Sequence, residues 1–366
     1  MMSLLAIHEF NPLNPVFIQF SDNFAWAKYS LMIVIGIVVA GYLGIREGKK
    51  LGLKGGDIMD GILIIVPLSI VGTRLWYVIF EFGNRYLPTF QREGFLKGMF
   101  DVINISDGGL AIHGGFITAF IAAYFFTKKK GINVFSAFDM MAPGFLIAQA
   151  SGRWGNFFNQ EAHGGVIGGV SDSGAPLLDL DGQRAFLENK LHLPDYITDN
   201  MLIKAEKLSE GTLVPDISPG SGVGDMIRAA YYHPTFLYES IWNIVGFAII
   251  LLLRRTKLVR NGEFLGFYLI WYSIGRFLIE GMRTDSLYVL NTGIRTAQLI
   301  SILMIIGGIV YIYFTRKVFK TKPYHEVLEA FEGVDVNEDG KPNKHTRLLG
   351  EKAQEQNTNT NEKEEL

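Results

Sequence analysis

YSLMIVIGIVVAGYLGIREGKK, residues 29–50, decides in which solvent this chain folds. Its first part, Tyr29–Ile45, carries no charge, and a basic cluster, Arg46, Lys49, Lys50 and Lys54, follows at once. A helix rising about 1.5 Å per residue needs about 20 apolar residues to cross roughly 30 Å of hydrocarbon, so this segment predicts a membrane span. The same pattern recurs at Ile58–Phe80, Gly108–Phe126, Phe135–Ala150, Thr235–Leu253, Phe264–Gly281 and Ala297–Phe314, which makes seven predicted spans. Composition agrees: 49% of the 366 residues are hydrophobic, 27 are Phe, and the mean hydropathy is +0.22.

Basic residues fix the orientation. Clusters follow the first span, the third (Lys128, Lys129, Lys130), the fifth (Arg254, Arg255, Lys257, Arg260) and the seventh (Arg316, Lys317, Lys320, Lys322), all on one side. By the positive-inside rule that side is cytoplasmic, with the N-terminus outside and the C-terminus inside. The Gly-, Asp-, Pro- and Ser-rich segment 164–232 then becomes an extracytoplasmic head between helices 4 and 5, with a short helical candidate at Tyr196–Leu208. Residues 323–366 end in EKAQEQNTNTNEKEEL, too polar to bury a core, and predict a disordered cytoplasmic tail. The expected fold is therefore an all-α polytopic membrane protein, with a transmembrane catalytic domain over 1–322 that contains the inserted head. The N-terminal tract lacks a basic region followed by a cleavage site and is expected to be retained.

A net charge of -2 and a pI near 6.4 point to no nucleic-acid partner. The chain has no cysteine, so any thiol chemistry uses a substrate's thiol. His113, His163 and His233 are too scattered in sequence to suggest a metal site, and no metal or organic cofactor is implied.

Charged groups at membrane depth cost several kcal/mol each and need a partner or a task. Arg153, Asn156, Asn159 and Glu161 crowd together in SGRWGNFFNQEAHGG, residues 151–165, a density that helix packing alone does not require. His113 lies in GLAIHGGF, where Gly114 and Gly115 let a backbone or ligand approach closely. His233 and Glu239 occur in YYHPTFLYES, with Pro234 suited to a first helical turn. Tyr272, Arg276 and Glu280 are spaced i, i+4, i+8 and share one helix face. A structural Arg276–Glu280 pair would explain the last motif alone. The accumulation of arginines, glutamates, asparagines and a histidine over several spans favours a binding or catalytic site. An anionic-solute transporter is the alternative; it lacks a visible inverted repeat. A noncatalytic scaffold is a third reading.

The runs HGG (113–115), GRWGNFFNQE (152–161), HPTFLYE (233–239) and YSIGRFLIEGMR (272–283) closely resemble the prolipoprotein diacylglyceryl transferase family, over roughly Trp26 to Phe314. The resemblance implies transfer of the diacylglyceryl group of phosphatidylglycerol to the lipobox cysteine thiol of a prolipoprotein, forming a thioether and releasing glycerol phosphate. It places the chain in the bacterial cytoplasmic membrane, with phosphatidylglycerol and the prolipoprotein signal peptide as partners. Arg153 and Arg276 are the expected grip on phosphate, since a guanidinium fork binds two oxygens and stays charged. His113 is either the proton acceptor or a hydrogen-bonding group for the lipid headgroup. Asn156, Glu161, Glu239, Tyr272, Glu280, Tyr29, Gly114 and Gly115 complete the expected substrate-binding set. Residues 172–225 of the head match no motif of the family.

Overall fold

The computed structural model describes residues 8–21, 24–51, 53–104, 108–109, 111–205, 212–222, 224–289 and 292–331. Among these the chain forms twelve α-helices: α1 (Lys28–Lys50), α2 (Gly55–Glu81), α3 (Leu87–Glu93), α4 (Phe95–Ile103), α5 (Ile112–Lys130), α6 (Val134–Phe158), α7 (Leu180–Ala185), α8 (Asp195–Asp199), α9 (Thr235–Leu253), α10 (Glu263–Glu280), α11 (Thr296–Tyr313) and α12 (Tyr324–Phe331). Five strands accompany them: β1 (Val16–Ser21), β2 (Phe24–Ala27), β3 (Leu202–Lys204), β4 (Leu213–Pro215) and β5 (Met226–Tyr231). Each predicted span coincides with a helix, namely α1, α2, α5, α6, α9, α10 and α11. Four helical stretches, Lys28–Lys50, Gly55–Glu93, Thr235–Leu253 and Thr296–Val318, are long and apolar enough to cross a membrane. The other three, α5, α6 and α10, carry residues of the HGG, GRWGNFFNQE and YSIGRFLIEGMR motifs.

Three expectations need correction. The fold is mostly helical, not all-α: β1 and β2 form an antiparallel hairpin, and β3, β5 and β4 form an antiparallel sheet in that spatial order. The helix expected at Tyr196–Leu208 stops at Asp199, because Leu202 and Ile203 are buried by pairing with Tyr231 and Ala230 of β5. Residues 206–211 lie outside the described residues. The third span begins at Ile112 instead of Gly108, since Gly108 and Gly109 take φ of 77° and 75°, a left-handed conformation that glycine adopts without strain. In the expected tail, Tyr324–Phe331 is helical and Tyr324 is fully buried, while 332–366 lie outside the described residues.

The chain divides into two compact units. The first comprises Met1–Ala40, Ala142–Arg255 and Glu263–Lys320; the second comprises Gly41–Met141, Thr256–Gly262 and Thr321–Leu366.

In the first unit α10 packs against α9 and α11. Trp242 of α9 and Trp271 of α10 stack with ring centroids 4.4 Å apart, and each indole N–H donates to the other residue's carbonyl at 2.9 Å. Glycine on both helices is what admits the rings: a Cβ on Gly246 would lie 2.4 Å from the Trp271 indole, and one on Gly275 2.4 Å from that of Trp242. Gly266 and Gly308 bring α10 and α11 equally close, the use of small residues expected where helices pack in lipid. The described residues of 164–232 pack on an apolar core in which Ile167, Leu187, Val214 and Ala230 are buried. That core is continuous with Phe157 at the end of α6 and Phe236 at the start of α9, whose rings lie 4.7 Å apart. Head packing thus fixes the two helix ends that carry the GRWGNFFNQE and HPTFLYE motifs.

In the second unit α2 and α5 cross with almost no space between them, a Cβ on Gly114 falling 2.3 Å from the Gly72 carbonyl oxygen.

Candidate functional site

A continuous chain of polar side chains runs through the first unit. Glu239, on the second turn of α9, is 4% exposed and bridges two arginines. Its Oε2 lies 2.7 Å from Nε of Arg153 on α6, and its Oε1 lies 3.2 Å from Nη1 of Arg276 on α10. Arg276 also pairs through Nη2 with Oε2 of Glu280, one turn further along α10, at 2.7 Å. From Arg153, Nη1 donates to Oδ1 of Asn156 at 3.4 Å, and Nδ2 of Asn156 donates to Oε1 of Glu161 at 3.1 Å. Asn159 Nδ2 donates to the same Glu161 oxygen at 3.2 Å.

This arrangement follows from elementary constraints. The carboxylates of Glu239 and Glu280 are buried and tolerable only because a guanidinium answers each. Both arginines keep about a fifth of their side-chain surface, 19% for Arg153 and 18% for Arg276. Neither Nη2 of Arg153 nor Nε of Arg276 has a partner among the described residues. The carboxylates therefore orient the two forks without using all their donors.

Backbone strain surrounds Glu161. Gln160 and Ala162, neither of them glycine, sit in the left-handed region at φ 49° and 58°, each a cost of order 1 kcal/mol. Their neighbours hold them there: Gln160 Nε2 donates to the Asn200 carbonyl at 3.0 Å, Gln160 Oε1 accepts from the Leu13 N–H at 3.3 Å, and the Ala162 carbonyl accepts from Thr235 Oγ1 at 2.5 Å. The turn lifts Glu161 out of the helix and leaves it exposed, beside a small cleft lined by Asn156, His163, Met201 and Phe236.

Further groups border the chain. Tyr272 stacks on Tyr268, centroids 5.9 Å apart, one turn before Arg276. Tyr29 lies against the α6 backbone at Gly155, where a Cβ would meet its ring at 2.6 Å. Arg283 binds Asp285 through two bonds of 2.9 and 2.6 Å. Burial works against the Arg283 cation, yet Asp285, Glu239 and Glu280 together raise its pKa. Burial also holds His233 below the ordinary histidine pKa, in its neutral form, with Nδ1 3.1 Å from the Tyr238 hydroxyl.

Of the residues expected from sequence, the structure thus joins Arg153, Asn156, Glu161, Glu239, Arg276 and Glu280 in one chain, with Tyr272 and Tyr29 beside its arginine-bearing helices. His113, Gly114 and Gly115 belong to the second unit, on the first turn of α5; the His113 side chain lies outside the described residues. The space beside both glycines is taken by Gly72, Thr73 and Trp76 of α2. Sequence alone gives no role to Arg283, the last residue of YSIGRFLIEGMR, or to Asp285 two residues beyond it.

Comparison with known proteins fits this geometry. Residues 15–314 match the family model described as prolipoprotein diacylglyceryl transferase. The chain belongs to that family. The match starts upstream of Trp26 and takes in the β1–β2 hairpin. Curated relatives named phosphatidylglycerol–prolipoprotein diacylglyceryl transferase from Bacillus cereus (strain G9842), Bacillus thuringiensis subsp. konkukian (strain 97-27) and Bacillus anthracis (strain CDC 684 / NRRL 3495) are each 40% identical over 289 residues, covering 79% of this chain and 87% of the relative. With four helical stretches long and apolar enough to cross a membrane among the described residues, this family member is a multi-pass membrane protein.

Proposed function

We propose that this chain is a phosphatidylglycerol–prolipoprotein diacylglyceryl transferase, catalysing the first step of lipoprotein maturation. The relatives' names and the family match support the activity, and neither favours an anionic-solute transporter. In the reaction the lipobox thiolate attacks the glyceryl carbon, a carbon–sulfur bond forms, and the carbon–oxygen bond to phosphate breaks. Its electron pair leaves on glycerol phosphate. A site for this chemistry must stabilise phosphate charge and accept a proton from a thiol of pKa near 8.5.

The observation that carries the residue assignment is Glu239 bridging Arg153 and Arg276 while leaving donors on both. The two forks grip the phosphate of the headgroup and follow its charge as the ester departs. Asn156, Glu161, Glu280, Tyr272 and Tyr29 supply neutral or acidic partners for the glycerol hydroxyls and hold the arginines in place. His113, an imidazole whose unperturbed pKa lies near working pH, is the candidate acceptor of the thiol proton or else a hydrogen-bonding group for the headgroup, and Gly114 and Gly115 set its helix tightly against α2.

We place the enzyme in the bacterial cytoplasmic membrane with seven crossings, α1, α2, α5, α6, α9, α10 and α11. The four basic loops face the cytoplasm, the 164–232 head faces outward, and 323–366 lies inside. The deciding experiment gives purified protein in detergent a lipobox peptide and phosphatidylglycerol. The expected result is a peptide heavier by one diacylglyceryl group, with an equal yield of glycerol phosphate; no modified peptide from protein that is folded would overturn the reading.

A further inference from the structure

Arg74 is a buried cation on α2, 7% exposed, that none of the family motifs above contains. All five of its N–H donors are used, and every acceptor is a backbone carbonyl. Nε donates to Val102 at 2.9 Å; Nη1 to Gly108 and Gly109 at 2.7 and 2.9 Å; Nη2 to Asp101 and Asn104 at 2.7 and 2.6 Å. The rings of Tyr77 and Tyr86 cover it, 5.9 and 5.5 Å from the guanidinium carbon. Arg74 thus gathers the carbonyl end of α4, where a cation is favoured, and the two left-handed glycines before α5. One residue earlier on α2, the Thr73 carbonyl accepts the Ala111 N–H at 3.0 Å, and α5 starts at Ile112. A Cβ on Gly109 would lie 2.5 Å from Arg74 Nη1, so the contact demands glycine there.

We propose that Arg74 is a positioning residue for the transfer reaction, fixing through these five carbonyls the backbone that leads to the first turn of α5, where His113 lies. The proposal rests on the assignment of His113 to the chemistry. Loops fold over a buried arginine for stability alone in many proteins, so the distinguishing feature is coupling to His113. Lysine keeps the charge but cannot reach five carbonyls with one ammonium.

The test is a double-mutant cycle with the full chain in detergent, using Arg74→Lys, His113→Gln and the pair, with rates normalised to folded protein. Arg74→Lys should lower kcat on the order of a hundredfold, the effect of roughly 1 Å of misplacement, and leave KM for the peptide within about twofold. In the His113→Gln background the same change should have little further effect, because two residues acting through one group are not additive. Gly109→Ala perturbs the same clamp from the other side and should reproduce the kcat loss if the lysine variant fails to accumulate. A normal normalised rate for Arg74→Lys or Gly109→Ala, or full additivity with His113→Gln, overturns the positioning role. Normal turnover by His113→Gln itself would instead overturn the assignment of His113.

Discussion

Arg276 and Arg74 are both arginines on apolar helices, and the protein holds them in opposite ways. Arg276 faces two carboxylates and retains an Nε without a partner among the described residues. Arg74 pairs with no carboxylate among the described residues; its five donors end on five carbonyls. A saturated guanidinium has nothing left for a ligand and can only organise backbone. One anchored by acids through part of its fork is oriented, charge-balanced and still able to bind. The difference separates the arginine we assign to substrate from one that shapes the protein, although in sequence each is an arginine within an apolar helix.

The sharpest way to break the comparison is to keep charge and remove geometry at Arg153 and Arg276. Arg153→Lys and Arg276→Lys should each lose on the order of 2–4 kcal/mol of transition-state stabilisation, a rate loss of roughly thirty- to a thousandfold. Initial transfer rates per folded molecule decide it. Near-normal rates for both, with lowered melting temperature, would return these residues to a purely structural pairing.

A smaller effect tests whether packing away from the arginines is separable from turnover. Gly246→Ala pushes a methyl into the Trp271 indole and should destabilise by about 1–3 kcal/mol, as overpacked cores do. The surviving protein should transfer lipid normally. If its normalised rate fell as far as that of the arginine variants, the helix contact and the site would not be independent.

The smallest effect is acid sensitivity at His233. Burial lowers its folded pKa, so the stability linked to its neutral form is present above about pH 6.5 and is lost as pH falls through the depressed folded value. Melting temperature should decline between about pH 7.5 and 5.5, and His233→Gln should flatten part of that decline. An unchanged slope in the variant would assign the acid sensitivity to other groups.

Much of this was legible in sequence because lipid leaves few choices. Apolar runs marked every long helix, and the i, i+4 spacing of Arg276 and Glu280 foretold a pair now seen at 2.7 Å. The Glu239–Arg153 contact was not legible, since it joins α9 to α6 and depends on how the head core draws Phe157 and Phe236 together. The short strands β3 and β4 escaped for a similar reason: three residues carry no periodicity, and pairing with β5 makes them strands. Gly108 and Gly109 counted as span residues by composition, whereas the Arg74 clamp holds them outside α5. Arg74 itself was an overlooked signal, a charge inside the second apolar run that by the rule of membrane depth required an explanation.

The paired indoles of α9 and α10 give the molecule a built-in optical gauge. Only five tryptophans occur in the chain, and Trp242 and Trp271 lie nearly parallel, 16° apart, with both N–H groups tied down. Two such chromophores at that separation share their excitation and should give a coupled near-ultraviolet circular dichroism signal that isolated indoles lack. Because each bond runs from one helix to the other's backbone, sliding α9 along α10 by a single residue breaks both at once. The register that sets Glu239 opposite Arg276 can therefore be followed by light, in detergent or in a bilayer, without labelling the protein.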